Sequence, residues 1–281
     1  MYRFAAEEDF PAIVQLWQAV FGDDEEYIAR CLAGFAGVGN IYLAEGERGA
    51  MEAFMLAVPC RVRFTQGVYL YALATHPKAR RTGVMSGLMT FAERRSAALG
   101  AQFAVLIPAR PELFGYYLKR GYTQDILLRH LTKTVQPGVV GLVDHTRPSP
   151  EEFLRLREQH FDLPCLAFTV QRQALVLEDV YASGGHVART MEGYAVFFPQ
   201  DEQLLVAELC AQGDADAENL LCALAEKTGV GSVQLTLPVG EGPFEGQGMI
   251  RPAALMKPLD HAYPYKEIYM RFAMDVVPDS F

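Results

Sequence analysis

Two hydrophobic rhythms alternate along the chain. From Glu7 to Val20 an acidic, proline-bearing start leads to Ile13, Leu16, Trp17 and Val20 at helical spacing, which predicts a helix. A second helical patch runs from Glu25 to Phe35 behind Asp23 and Asp24. The rhythm then shortens. Asn40–Glu45 and Ala50–Phe64 read as a strand hairpin turned by Glu45 to Gly49, and Val68–Thr75 is apolar and aromatic enough for a buried strand. Val84–Leu99 returns to helical spacing. Val84, Met85, Leu88, Met89 and Ala92 are read as inward, Glu93, Arg94 and Arg95 as outward, and Gly100 stands at the C-cap position. A buried strand (Phe103–Pro108), a short helix (Pro111–Arg120) and a strand from Asp125 to Val135 complete the order β-β-β-α-β-α-β. That order predicts a mixed sheet with helices on its faces.

Gln136 to Pro150 holds two glycines and three prolines and reads as a linker. Helices are expected beyond it at Glu151–Phe161 and Val170–Ser183. Strands follow at His186–Arg189, Gly193–Pro199 and Gln203–Cys210, then a helix at Ala215–Thr228. The last expected strands are Ser232–Pro238 and Glu267–Asp275. This order repeats the plan of the first half. The expected fold class is therefore α/β, an α+β mixed sheet, in two tandem units of related plan, 1–135 and 151–281.

Composition removes several function classes. At 51% hydrophobic and 21% charged residues the chain is globular. Its net charge of −9 argues against a nucleic-acid partner. No basic segment precedes an apolar core at the N-terminus, and no apolar run reaches bilayer length, so neither a signal peptide nor a membrane span is expected. Five dispersed cysteines suit reduced thiols in the cytoplasm. The six histidines show neither HExxH nor i, i+4 pairing, so no metal is expected. GxSxG, GxxxxGK[ST] and GxGxxG are absent.

One stretch changes the picture. In ATHPKARRTGVMSGLM, residues 74–89, Arg80 and Arg81 stand between a buried strand and the start of a long helix. Backbone N–H groups at a helix N-terminus carry partial positive charge, and flanking arginines turn such an end into a phosphate or pyrophosphate site. Gly83 permits an unusual dihedral or a close approach to the anion. Pro77 ends the strand, because it cannot donate to a ladder.

These residues resemble the acyl-CoA pyrophosphate loop of the GNAT superfamily of N-acyltransferases, whose pattern is [RQ]-x-x-G-x-[GA]. Arg80 takes the first position and Gly83 the glycine, while Met85 stands where the family usually has Gly or Ala. LFGYYLKRGY, from Leu113 to Tyr122, is similar to the family's F-Y-x-x-x-G-F segment, with Tyr117, Gly121 and Tyr122 on its tyrosine, glycine and closing aromatic. The resemblance covers roughly residues 1 to 135. It implies an N-acetyltransferase using acetyl-CoA as co-substrate and a primary amine as acceptor. Arg80, Arg81, Thr82, Gly83, Val84, Met85 and Ser86 would grip the pyrophosphate, and Leu73, Ala74 and Thr75 would pair with the pantetheine. Tyr117 would be the general acid that protonates the leaving thiolate.

No motif marks a general base. Val68–Thr75 contains no carboxylate, Tyr69 and Tyr71 read as packing aromatics, and Glu26, Glu52 and Glu112 stay open. The tandem plan resembles the enhanced-intracellular-survival acetyltransferases, although the chain is too short for their additional C-terminal domain. In that family the C-terminal carboxylate serves as base, here that of Phe281. In the second half the matching stretch, ELCAQGDADAENLLCAL, places Asp214, Asp216 and Glu218 where arginines would be needed, so this unit is expected to be degenerate and to bind no acyl-CoA. Residues 241 to 248 lack any basic group and read as a flexible loop. From a different class, the alternative is a non-catalytic acyl-CoA-binding or sensing protein.

Overall fold

The computed structural model describes residues 1–138, 141–160, 165–240 and 242–259. In chain order the strands are β1 (Tyr2–Phe4), β2 (Ile41–Glu45), β3 (Met51–Val62), β4 (Thr65–Thr75), β5 (Phe103–Leu106) and β6 (Thr123–Thr134). They continue as β7 (Leu166–Ala167), β8 (His186–Arg189), β9 (Gly193–Pro199), β10 (Leu204–Ala211), β11 (Ser232–Pro238) and β12 (Met249–Pro258). The helices are α1 (Phe10–Phe21), α2 (Glu25–Arg30), α3 (Val84–Ala98), α4 (Phe114–Leu118), α5 (Pro150–His160), α6 (Val170–Ala182) and α7 (Asp214–Thr228). Two compact units result: residues 1–125 with 254–259, and residues 126–253.

The first unit has the strand order β1-β2-β3-β4-β5, continued by the end of β12. Only β4 and β5 run parallel; the other pairs are antiparallel. Side chains alternate across a strand, so the sheet buries two sets of residues. One set (Met55, Ala57, Val68, Leu70, Ala104, Leu106) packs with Met85, Leu88, Met89 and Ala92 of α3 and with Tyr117 of α4. The other set meets α1, where Trp17 lies 5.6 Å from Phe54 and 6.0 Å from Tyr71, ring to ring. Local signals set the helix ends. Helix α1 has a proline in its first turn and stops at Gly22, left-handed at φ +83°, whose N–H bonds the Gln18 carbonyl. Asp24 caps α2 by accepting from the Tyr27 N–H at 2.7 Å.

In the second unit the strand order is β6-β11-β10-β9-β8, and only β10 and β11 are parallel. An antiparallel pair, a crossing helix and a parallel return strand (β9, β10, α7, β11) repeat the moves of β3, β4, α3 and β5. Its core joins Phe197, Leu204 and Val206 to Leu220, Leu224 and Leu235. Arg157 and Glu208, 3% and 1% exposed, form an ion pair at 3.3 Å, and the Tyr194 hydroxyl donates to the same carboxylate.

Several expectations need correction. The helix expected over Glu25–Phe35 is α at first and widens to a π-helical turn over Cys31–Ala36, which keeps Cys31, Leu32, Phe35 and Ala36 buried. Glu93 does not face outward: it is 5% exposed, accepting from the Tyr122 hydroxyl at 2.7 Å and pairing with Lys257 at 2.5 Å. Strand β12 was missed because Pro252 and Pro258 flank its apolar centre. The expected strand Glu267–Asp275 and the Phe281 carboxylate lie outside the described residues.

Candidate active site

The site is built on an irregularity in β4. Register against β3 shifts between Phe54 and Leu56, and Ala72 opposite sits at φ +50°, left-handed for a non-glycine residue. Such a bulge bends the strand and increases its twist. The parallel ladder with β5 covers only Gly67, Val68 and Tyr69. From Leu73 to Thr75 that edge of β4 has no ladder partner among the described residues. Leu73, Ala74 and Thr75 therefore line a stretch of strand edge able to pair with an extended ligand.

Past the strand, Pro77–Ala79 form one 3-10 turn, and the His76 Nδ1 accepts from the Lys78 N–H at 3.3 Å. Thr82 Oγ1 donates to the Ala79 carbonyl at 2.7 Å, and Arg80 Nε to the Thr75 carbonyl at 3.3 Å. Arg81 at φ +66° and Gly83 at φ +89° curl the backbone into α3. The left-handed Arg81 costs of order 1–2 kcal/mol, a strain typical of functional loops. Gly83 is the N-cap and brings no side chain to cap the helix, and nothing lies within 4 Å of where its Cβ would stand. The first turn of a 15-residue helix thus has no side-chain cap beside Arg80 and Arg81, both exposed and without a carboxylate partner among the described residues. This is a cradle for an anion.

Met85, the departure from the family pattern, is 8% exposed and packs in the core with Leu88 and Met89. Its bulk lies inside, away from the loop surface. Val84 is half-buried against the same core. The Ser86 hydroxyl is already engaged, accepting from Arg120 Nε at 2.8 Å and standing 3.2 Å from the Tyr116 hydroxyl.

Tyr117 lies in α4, 6% exposed, its ring edge-on to Tyr116 at 5.1 Å and to Tyr122 at 6.0 Å. Its hydroxyl makes no hydrogen bond to a described residue. Burial pushes the phenol well above its ordinary value, Tyr116 adds to this, and the Arg120 guanidinium opposes it. Tyr69 and Tyr71 belong to the α1 side of the sheet, where the Tyr71 hydroxyl is 2.7 Å from that of Tyr27. Of the candidate carboxylates, Glu26 is exposed and pairs with Arg30 at 3.0 Å, and Glu112 is exposed in the Pro111–Leu113 turn. Glu52 precedes the Ala53 that pairs with Thr75, and its carbonyl accepts from the His76 N–H. The residue that sequence reasoning missed is Arg120, although its i+4 spacing from Tyr116 was readable.

In the second unit the equivalent helix start is occupied. Asp214 accepts from the Phe244 N–H at 2.6 Å. The 3%-exposed Arg129 holds the carbonyls of Pro238, Pro243, Phe244 and Gln247. What read as a flexible loop is pinned over the described part of 241–248. Among the described residues no group of three or more His, Cys, Asp or Glu could hold a metal ion.

Fold and domain together define an acyltransferase. A family model described as an acetyltransferase (GNAT) domain matches residues 1–124. Residues 1–124 thus carry a GNAT acetyltransferase domain. No curated protein matches the chain. Among solved structures it is similar to Eis1 from Mycobacterium abscessus (16% identity, TM-score 0.71, covering 92% of this chain and 74% of that one). It is also similar to a GCN5-related N-acetyltransferase from Kribbella flavida (18%, TM-score 0.72, 92% and 71%). A probable N-acyltransferase from Enterococcus faecalis V583 matches comparably (14%, TM-score 0.72, 92% and 73%). At these identities the likeness is one of fold. No helix among the described residues is long and apolar enough to cross a membrane.

Proposed function

We propose that the chain is an N-acetyltransferase that moves an acetyl group from acetyl-CoA to a primary amine by direct attack. Residues 1–135 would be the catalytic GNAT-like unit and 151–281 a second GNAT-like unit without an acyl-CoA loop, joined through 136–150. The uncapped start of α3 beside Arg80 and Arg81 carries the reading, because it meets a pyrophosphate with amides and two exposed guanidiniums. Thr82 to Ser86 complete that turn, and the open edge at Leu73, Ala74 and Thr75 suits pantetheine.

In this reading the neutral amine attacks the thioester carbonyl, the C–N bond forms, the nitrogen gives up one proton to solvent and the C–S bond breaks. Tyr117 gives its proton to the leaving thiolate and regains one from solvent. The phenol is protonated at neutral pH, as a general acid must be, and the Arg120 guanidinium works against the burial that tightens its hold on the proton. Holding both partners in one cleft supplies much of the rate. The acid-occupied start of α7 supports a second unit that takes no acyl-CoA. Dispersed cysteines support a cytoplasmic location.

The test is thiol release from acetyl-CoA over a panel of spermidine, tyramine, an aminoglycoside and a lysine-bearing peptide. Release that depends on one of these amines is expected. Tight acetyl-CoA binding with no release above buffer for any amine would overturn the reading in favour of a binding protein.

A further inference from the structure

Arg120 makes an unusual set of contacts. Its guanidinium carbon lies 3.3 Å from the centroid of the Tyr116 ring. One terminal nitrogen donates to the Tyr116 carbonyl, the other to Ser86 Oγ, and Nε donates to the same Oγ at 2.8 Å. Ser86 is in the first turn of α3, the helix that starts at the basic loop. Tyr116 directly precedes Tyr117 in α4, a helix of only five residues that has too few internal hydrogen bonds to hold its own orientation. A planar fork holding three bonds and stacked on an aromatic face is a device that lysine cannot reproduce.

We infer that Arg120 is a positioning residue: it clamps the acid-bearing α4 to the first turn of α3 and so sets the Tyr117 phenol against the thioester sulfur of a donor whose pyrophosphate the loop holds. The inference rests on the acetyltransferase reading and on Tyr117 as acid. The same guanidinium also stabilises the phenolate that Tyr117 becomes after giving up its proton, in line with its effect on the phenol. Without the clamp the loop still binds the pyrophosphate, but the acid is out of register, which is worth roughly tenfold or more in rate.

The experiment compares Arg120→Gln, Arg120→Lys, Ser86→Ala, Tyr117→Phe and the double variant Arg120→Gln/Tyr117→Phe. Each is assayed with the best acceptor of the amine panel and with two donors, acetyl-CoA and its selenoester analogue. A selenolate leaves without needing a proton, so a defect in acid catalysis shrinks with that donor, whereas a general loss of structure does not. Arg120→Gln is expected to lower kcat at least tenfold with little change in KM for acetyl-CoA, and most of the loss should disappear with the selenoester. Ser86→Ala and Arg120→Lys should give smaller losses of the same kind. In the Tyr117→Phe background, Arg120→Gln should cost little more.

Equal losses with both donors, full additivity with Tyr117→Phe, or a rise in KM alone would overturn the inference and leave the acetyltransferase reading standing. Tyr117→Phe with unchanged turnover would overturn the acid assignment, and Arg120's role with it. Absence of turnover in the parent protein would overturn both.

Discussion

Lys257 Nζ lies 2.5 Å from Glu93 Oε2, in the core of the first unit, although 164 positions separate the two residues. The other carboxylate oxygen accepts from Tyr122, and Leu255–Pro258 pair antiparallel with Phe103–Leu106. A family domain matched over residues 1–124 is thus completed by a strand from far along the chain.

Lys257→Met leaves the Glu93 carboxylate 5% exposed with only Tyr122 as partner. Leaving a buried charged group short of a partner costs about 1–3 kcal/mol. A lower urea midpoint is expected, and Glu93→Gln/Lys257→Met should recover part of the loss. A protein ending at residue 135 should lack the cooperative unfolding transition of the full chain.

Because Tyr117 donates to no described residue, Tyr117→Phe should leave the melting temperature nearly unchanged while lowering kcat by roughly 10²–10⁴-fold. Steady-state kinetics and thermal unfolding on the same sample separate the two effects. A large drop in melting temperature would show that the hydroxyl is structural.

Arg80→Ala and Arg81→Ala should weaken acetyl-CoA binding several-fold each and leave kcat largely intact, with the loss diminishing at high ionic strength. Calorimetric titration at two salt concentrations measures this. Asp214→Ala in the second unit should leave acetyl-CoA affinity unchanged.

Removing Glu208 strands the Arg157 charge inside the second unit. Glu208→Gln should therefore destabilise by about 3–5 kcal/mol, whereas replacing Arg157, Glu208 and Tyr194 together by apolar residues should cost much less. Urea denaturation distinguishes the two outcomes.

Burial holds His130, His145 and His186 below the usual imidazole value of 6.5. The unfolded chain binds those protons first as pH falls, so stability should decline below about 6.5. Bonds from Thr146 and Arg189 lower the Asp144 carboxyl from 3.8 to about 2. Its contribution is present above 3.8 and lost as pH falls through 2. Thermal unfolding from pH 8 down to about 2 should follow this course, and Asp144→Asn should flatten the acid end.

Much of this was legible along the chain because its causes are local. The α3 stretch, the preceding buried strand, Gly83 and the two arginines lie within thirty-odd consecutive positions, where periodicity and backbone preference act directly. Elements such as β8, β9 and β11 fell where their apolar runs begin and end. The Tyr117 segment was recognised by a motif of the same local kind. Glu93 was misread because helical spacing reports which face a residue takes, and only its partners, Tyr122 and Lys257, show that this face is covered.

By itself the sequence determined the mixed α/β class, the strand–loop–helix with its anion-attracting end, and the acid-lined start of α7, all consequences of neighbouring residues. Tertiary structure alone decided the rest. It buried Met85 away from the loop surface, parted β4 from β5 beyond Tyr69, brought Arg120 to Ser86, and returned residues 254–258 to the first unit. Each of these depends on which segments meet in space, and no pattern along the chain encodes a meeting between residues 93 and 257.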